Sequence, residues 1–154
     1  IAAFIAVFLL LLLFERSAVA LGLILLPLLL GVAYTVGLMA FLGMKLNFFN
    51  MLALPTIIGM GVDDGVHIYH RYKELGPGSA RYVVRSTGMA VVLTSVTTSV
   101  GFGSLLAANM FGLNSLGLLS IIAITMALLS TLLVLPAAMQ WIDNRRLQKE
   151  TSTA

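Results

Sequence analysis

The chain has 154 residues, of which 60% are hydrophobic and only 10% are charged, and its formal net charge is +3. Because a soluble domain carries about 25% charged residues, this composition excludes a water-soluble domain and indicates a lipid surrounding. The lack of cysteine excludes disulfide bonds and thiolate metal sites. A helical membrane span needs about 20 apolar residues, so the length allows about five spans.

Apolar runs separated by short polar turns predict an all-α membrane protein, a bundle of five transmembrane helices over residues 1–142. The predicted spans cover residues 1–14, 18–42, 48–72, 86–108 and 115–141, and a polar, frayed cytoplasmic tail covers 143–154. The first run is too short to cross the bilayer as a helix, and it lacks the basic start and small-residue cleavage site of a signal peptide. We therefore expect the sequence to start inside the first helix of a longer protein.

Basic residues are distributed unevenly between the two ends of the predicted spans. One side carries only Lys45, and the other carries eight basic residues: Arg16, Arg71, Lys73, Arg81, Arg85, Arg145, Arg146 and Lys149. Because basic residues concentrate in cytoplasmic loops, this asymmetry predicts that the tail and the loop over residues 73–85 are cytoplasmic. The positive charge is expected to contact anionic membrane lipids, and no nucleic-acid partner is expected.

Two acidic residues, Asp63 and Asp64, lie inside the third predicted span, whereas the other acids fall in turns or in the tail. A carboxylate near the centre of a bilayer costs about 2.5–3.5 kcal/mol, so the pair is expected to face protein or water and to be protonated part of the time. This predicts a proton relay, the kind of site that a proton-coupled transporter needs. The alternative is a polar pair that only packs within the bundle.

Partners of the acidic pair are predicted from helical spacing. His67 lies four residues after Asp63 and therefore shares its helix face, although His67 can equally be a neutral, hydrogen-bonded interfacial residue. In the fourth span, hydroxyl side chains form one polar face and a neighbouring stripe, and we expect these residues to be relay partners: Thr94, Ser95, Thr97 and Thr98. Such hydroxyls are also ordinary packing residues between membrane helices.

Glycines near these residues predict close helix contacts or local unwinding. The candidates for packing or hinge positions are Gly59, Gly61, Gly65 and Gly101. The sequence shows no metal-ligand spacing, no nucleotide-binding loop and no nucleophile–base arrangement. We therefore predict neither a cofactor nor a metal, and no enzymatic activity.

Three stretches of the chain carry a resemblance to a known family. They are Gly59-Met60-Gly61-Val62-Asp63-Asp64-Gly65-Val66-His67 with the basic run after it, residues 86–102, and Leu135-Pro136-Ala137. Together they resemble the resistance–nodulation–division (RND) superfamily of proton-driven exporters. The likeness is greatest to its lipid-exporting branch, the mycobacterial-membrane-protein-large (MMPL) and hopanoid-associated transporters. Asp63 matches the family's relay aspartate, whereas Asp64 replaces the tyrosine that is usual in the lipid branch.

The resemblance implies a position and a function for the chain. It implies the last five helices of a twelve-helix transporter, a multi-pass protein of the bacterial inner membrane that assembles as a dimer or trimer. It also implies proton-driven export of a hydrophobic or lipid substrate, such as a hopanoid, together with the remainder of the transporter. Two alternatives stay open: a Sec-type accessory module that uses proton flux to move secreted protein, and a sterol-sensing-type regulator that binds lipid without transport.

Overall fold

The computed structural model of the protein describes residues 18–44 and 47–152, and all regular structure in these ranges is helical. Helix α1 covers Ala18–Phe41, α2 covers Phe48–Leu75 and α3 covers Ala80–Gly103. A 3₁₀ turn at Ser104–Ala107 leads to the long helix α4, which covers Phe111–Ser152. The all-α class predicted from the sequence is therefore confirmed for the described ranges.

Three of these helices are long and apolar enough to cross a membrane, over Val19–Phe41, Ala80–Ala107 and Phe111–Arg145. Helix α2 is also long, with 28 residues, but its second half carries the two mid-helix acids and a basic end, so its apolar stretch is shorter. The first predicted span, residues 1–14, lies outside the described residues. The count of five spans therefore stays a prediction.

Two helices extend beyond their predicted ends. Helix α3 begins at Ala80, well before the predicted start of the fourth span. The break in this region is confined to the turn with Gly76 and Gly78, whose φ angles of 84° and 86° suit glycine best. Helix α4 continues to Ser152, well past the predicted end of the fifth span at residue 141. No glycine or proline follows Pro136, and most residues beyond it favour a helix.

Helix α4 is the centre of the bundle and packs against each of the other three helices. It can do so because its apolar residues surround the helix, and buried positions recur along its length: Leu119, Ala123, Ile124, Ala127, Leu135 and Met139. Glycine permits the closest approach to α1, since a Cβ atom at Gly31 would lie 2.9 Å from the Cα atom of Ala127. Small residues therefore bring the central helices together.

Helix α3 lies at the periphery of the bundle. Its inner face is buried through Val83, Val91 and Ser95. Large apolar side chains are exposed along its outer face: Tyr82, Met89, Leu93, Val96 and Val100. Their spacing of three, four or seven residues puts them on one side of the helix. An apolar stripe of this kind suits contact with lipid.

Polar contacts join α2 and α4 at both ends. At the start of α2, Nδ2 of Asn47 donates to Ser115 Oγ over 3.1 Å, and Ser115 Oγ donates to Asn50 Oδ1 over 3.0 Å. At the other end, the buried carboxylate of Asp143 accepts a hydrogen bond from the Tyr72 hydroxyl. These contacts set the register of α2 against α4, and they therefore position the middle of α2 in the bundle.

Candidate functional site

The adjacent acids Asp63 and Asp64 point to different sides of α2. The Asp63 side chain is 71% exposed, whereas Asp64 is half-buried and lines a cavity of about 40 Å³ between α2, α3 and α4. Successive residues of an α-helix are rotated by about 100° around its axis, so neighbours in sequence cannot share one direction. The two acids, paired in the sequence, therefore have different surroundings.

The cavity beside Asp64 has both apolar and polar walls. The apolar part of its lining comes from α2 and α4: Ile57, Met60, Ile124 and Ala127. The polar part comes from α3, where Thr94, Ser95 and Thr98 line it. One water molecule needs about 10–15 Å³, so this cavity has room for water next to the carboxyl group. Asp64 therefore faces protein and a water-sized space rather than lipid.

The three predicted threonine partners differ in whether they line the cavity beside Asp64. Thr94 Oγ1 donates to the carbonyl oxygen of Val91 over 2.9 Å, and Thr98 Oγ1 donates to that of Thr94 over 2.8 Å. A hydroxyl has one proton, so these two threonines present only lone pairs to the cavity. Thr97 is exposed, bonds within its own helix and is not part of the lining. Of the four predicted hydroxyl partners, the structure therefore brings three to Asp64 and leaves Thr97 outside.

Ser95 differs from the threonines beside it. Only 7% of its surface is exposed, and its hydroxyl forms no hydrogen bond with any part of the chain that the structure describes. Among the three hydroxyl side chains of the lining, it alone keeps a proton that is not already donated to a helix carbonyl. Ser95 can therefore donate to water or to a carboxylate in the cavity.

Asp63 lies beside His67 on the outer face of α2. His67 Nε2 is 3.4 Å from Asp63 Oδ1, in line with their spacing of four residues, and the His67 side chain is 66% exposed. Further exposed residues of small or polar character continue this face, at Thr56, Gly59 and His70. An ionisable pair at membrane depth is costly against hydrocarbon, so this face requires protein or water beside it. In this respect it is unlike the apolar stripe of α3.

The four glycines expected at packing or hinge positions fall into two groups. A Cβ atom at Gly61 would lie 2.8 Å from a leucine Cδ1 atom of α1, and one at Gly65 would lie 3.4 Å from an isoleucine Cγ2 atom of α1. Both glycines therefore let α1 approach α2 closely. Gly59 and Gly101 are exposed, and a Cβ atom there would meet no described atom within 4 Å. Packing within the described bundle thus accounts for Gly61 and Gly65 but not for the other two, and the helices run unbroken through all four.

Asp143, assigned to the tail from the sequence, is a buried residue of the bundle. It accepts hydrogen bonds from the Tyr72 hydroxyl and from Gly78 N–H, the latter over 2.8 Å. Spacing is the signal that identifies it, because Asp143 follows the buried residues Leu135 and Met139 at intervals of four and so shares their face of α4. This carboxylate joins the turn between α2 and α3 to α4, and it lies outside the cavity.

Comparison with known families decides where the chain belongs. The family model described as MMPL family matches residues 1–153. The chain belongs to the MMPL family. This confirms the predicted resemblance to the lipid-exporting branch of the RND superfamily, and together with the apolar helices it makes the chain a multi-pass membrane protein. At the level of the family, MMPL proteins are transporters rather than enzymes.

Three relatives of this MMPL chain show how widely the similarity extends. The protein MJ1562 of Methanocaldococcus jannaschii is 32% identical over 139 residues, which is 86% of this chain and 36% of that protein. The hopanoid transporter HpnN of Burkholderia multivorans is 33% identical over 115 residues, 75% of this chain and 13% of that protein. Protein patched homolog 2 of Homo sapiens is 31% identical over 123 residues, 76% of this chain and 10% of that protein. The chain thus spans well under half the length of these relatives, and no solved structure matches it.

Proposed function

We propose that this MMPL chain forms part of the proton relay of an RND-type exporter, which uses the proton-motive force to move a hydrophobic or lipid substrate such as a hopanoid. The observation that carries the proposal is the position of Asp64, a carboxyl group in the middle of the helix bundle beside a water-sized cavity. Ionisable residues at membrane depth are typical of proton and substrate paths in transporters. The similarity to the hopanoid transporter HpnN supports a lipid as the substrate.

Asp64 has hydrogen-bond partners available both with and without a proton. When protonated, its O–H can donate to a lone pair of Thr94 or Thr98, whose own protons are bound to helix carbonyls. When ionised, it can only accept hydrogen bonds, from water in the cavity or from the free hydroxyl of Ser95. The two states favour different contacts between α2 and α3, so proton uptake can bias how these helices pack.

The outer face of α2 is where we place the remainder of the transporter. Asp63 and His67 are mostly exposed within the described residues, and lipid is an unfavourable neighbour for both. A second group of helices, packed on this face, would complete the relay and leave the apolar stripe of α3 to the lipid. Gly59 has no side chain and would let those helices approach closely. His67, beside Asp63, would then pass protons toward the cytoplasm.

Orientation and assembly complete the proposal. The basic residues at one end of the bundle, among them Arg71, Arg81 and Arg85, support a cytoplasmic position for that end and for the C-terminus. We place the protein in the inner membrane of a bacterium, as the RND resemblance implies. We also expect it to work as a dimer or trimer of the full-length transporter.

A second candidate function is lipid binding that regulates a partner without transport. The observation that favours it is a separate apolar cavity of about 270 Å³ between α1, α2 and α4. Thr35 is the one hydroxyl residue in its described lining, and it donates to the carbonyl oxygen of Gly31 over 2.8 Å. The walls therefore offer mainly hydrocarbon contacts, which suit a lipid chain. The Sec-type alternative has no comparable observation in its favour.

Proton flux through the full-length transporter in liposomes tests the relay. We expect Asp64→Asn to abolish flux driven by a pH gradient, because the asparagine amide, unlike a carboxyl group, does not bind and release a proton at physiological pH. Glu74→Gln is the matched control, since Glu74 pairs with Arg71 in an exposed position. Flux that persists when Asp63 and Asp64 are both replaced by Asn would refute the relay. The second candidate instead predicts lipid affinity that changes neither with pH nor with Asp64→Asn.

A further inference from the structure

Two buried hydroxyl groups of α4 lack hydrogen-bond partners within the described part of the chain, Ser120 Oγ and Thr131 Oγ1. Both residues are almost fully buried, with 2% and 0% of their surfaces exposed. Buried hydroxyls are normally satisfied, as Ser130 is by donating to the carbonyl oxygen of Pro27 over 2.7 Å. A buried hydroxyl without a partner opposes stability, so it calls for an explanation other than packing.

The two hydroxyls lie on the face of α4 that borders the 40 Å³ cavity. Ser120, Ile124, Ala127 and Thr131 follow one another at intervals of four, three and four residues, the spacing of one helix face. The middle two of these residues line the cavity. At a rise of about 1.5 Å per residue, Ser120 and Thr131 are about 16 Å apart along the axis, one on each side of the cavity. Ser95, in the cavity wall itself, is a third residue of low exposure whose hydroxyl has no partner in the described ranges.

Apolar clusters adjoin both ends of this row of hydroxyls. At the level of Ser120, Leu119 and Ala123 belong to one buried cluster, and the partly buried Leu116 packs against it. Toward the end of α4, Leu135 and Met139 belong to another. The hydroxyls extend over about half of the roughly 30 Å hydrocarbon core of a bilayer. Among the described residues, both ends of this row therefore have apolar neighbours.

We propose that Ser120, Ser95 and Thr131 line the water path by which protons reach Asp64. A hydroxyl can both donate and accept hydrogen bonds, so each of the three can hold water in a region whose other walls are apolar. The nearest titratable groups, Asp63 and His67, lie on α2 itself, and the cavity lining from α3 and α4 contains none. This inference rests on the proposed relay and adds the route to its carboxyl group.

Proton flux and thermal stability, measured on the same variants of the full-length transporter, test the path. We expect Thr131→Val and Ser120→Ala to lower flux several-fold while the melting temperature stays equal or rises, because an unpartnered buried hydroxyl is replaced by an apolar group. A hydroxyl with a structural role has the opposite effect, so Ser130→Ala should lower the melting temperature and leave the flux per folded molecule unchanged. Thr125→Val is the matched control for Thr131→Val, since Thr125 is exposed on the same helix and donates to the Ile121 carbonyl oxygen.

Three results would overturn the inference. Unchanged flux in a triple variant with Ser95→Ala, Ser120→Ala and Thr131→Val rejects the path and leaves the relay intact, provided that Asp64→Asn still abolishes flux. Parallel losses of flux and melting temperature in the three single variants reject it as well, because they show that the hydroxyls only support the fold. Flux that does not depend on Asp64 rejects the relay and the path together.

Discussion

The hydroxyl of Tyr72 on α2 donates a hydrogen bond to the carboxylate of Asp143 on α4, across 71 residues of sequence. The same carboxylate accepts from Gly78 N–H in the turn that leads to α3. One buried acid therefore holds the end of α2, the turn and α4 together. Asp64 lies about two turns before Tyr72 on the same helix, so this contact helps to hold the candidate relay residue against the cavity.

Loss of the Tyr72 hydroxyl is expected to destabilise the bundle. Tyr72→Phe removes a donor from a buried carboxylate, and a hydrogen bond to a charged group contributes about 1.5–3 kcal/mol. Denaturation of the purified protein in detergent measures the change in the free energy of unfolding. Tyr82→Phe is the control, because Tyr82 is 60% exposed on the outer face of α3. Equal stability of the two variants would show that the Asp143 contact does not hold the helices together.

Gly31 is expected to tolerate no side chain. A Cβ atom there would lie 2.9 Å from the backbone of Ala127, so Gly31→Ala must push α1 away from α4 and is expected to cost about 1–3 kcal/mol. Gly37→Ala, on the same helix, meets no described atom within 4 Å and is expected to stabilise by up to about 1 kcal/mol through helix propensity. Melting temperatures of the two variants, compared with the unaltered protein, should therefore move in opposite directions.

The amide and hydroxyl contacts at the start of α2 are expected to stabilise the bundle. Asn50 is fully buried, and Ser115→Ala would remove a donor to its Oδ1 atom and an acceptor for Asn47 Nδ2. The expected loss is about 1–2 kcal/mol in the free energy of unfolding. Ser86→Ala serves as the comparison, because the exposed Ser86 hydroxyl bonds only within its own helix turn. A loss no larger than that of Ser86→Ala would contradict the prediction.

Asp63 and His67 are expected to act as a coupled pair. Their side chains approach to 3.4 Å, and residues in contact commonly show interaction energies of about 0.5–3 kcal/mol in double-mutant cycles. Proton flux measured for Asp63→Asn, His67→Gln and the double variant should therefore be non-additive. A parallel cycle that combines Asp63→Asn with Glu74→Gln provides the additive reference. Additive effects in both cycles would show that His67 is only a residue of the membrane–water interface and takes no part in the relay.

Composition and short-range pattern were sufficient for the class and family of this chain. A low content of charged residues and long apolar runs require a membrane, and the residues around Asp63 and Asp64 carry the resemblance to the MMPL branch. The sequence also predicts the turn between α2 and α3, since Gly76 and Gly78 interrupt the helix there. The start of α3 and the end of α4 lie outside the predicted spans, because a polar helix and a polar loop have similar compositions.

The division of roles between neighbouring residues required the packed bundle. Asp63 and Asp64 are both acids in an apolar helix, and nothing in their local sequence shows which one faces a cavity. Gly61 and Gly65 pack closely against α1, which fixes the side of α2 that faces the bundle. In this orientation Asp64 lies beside α3, and Asp63 is exposed on the outer face. Asp143 was missed for the same reason. Sequence reports the polarity of a side chain, whereas its burial and partners depend on contacts with helices that are distant along the chain.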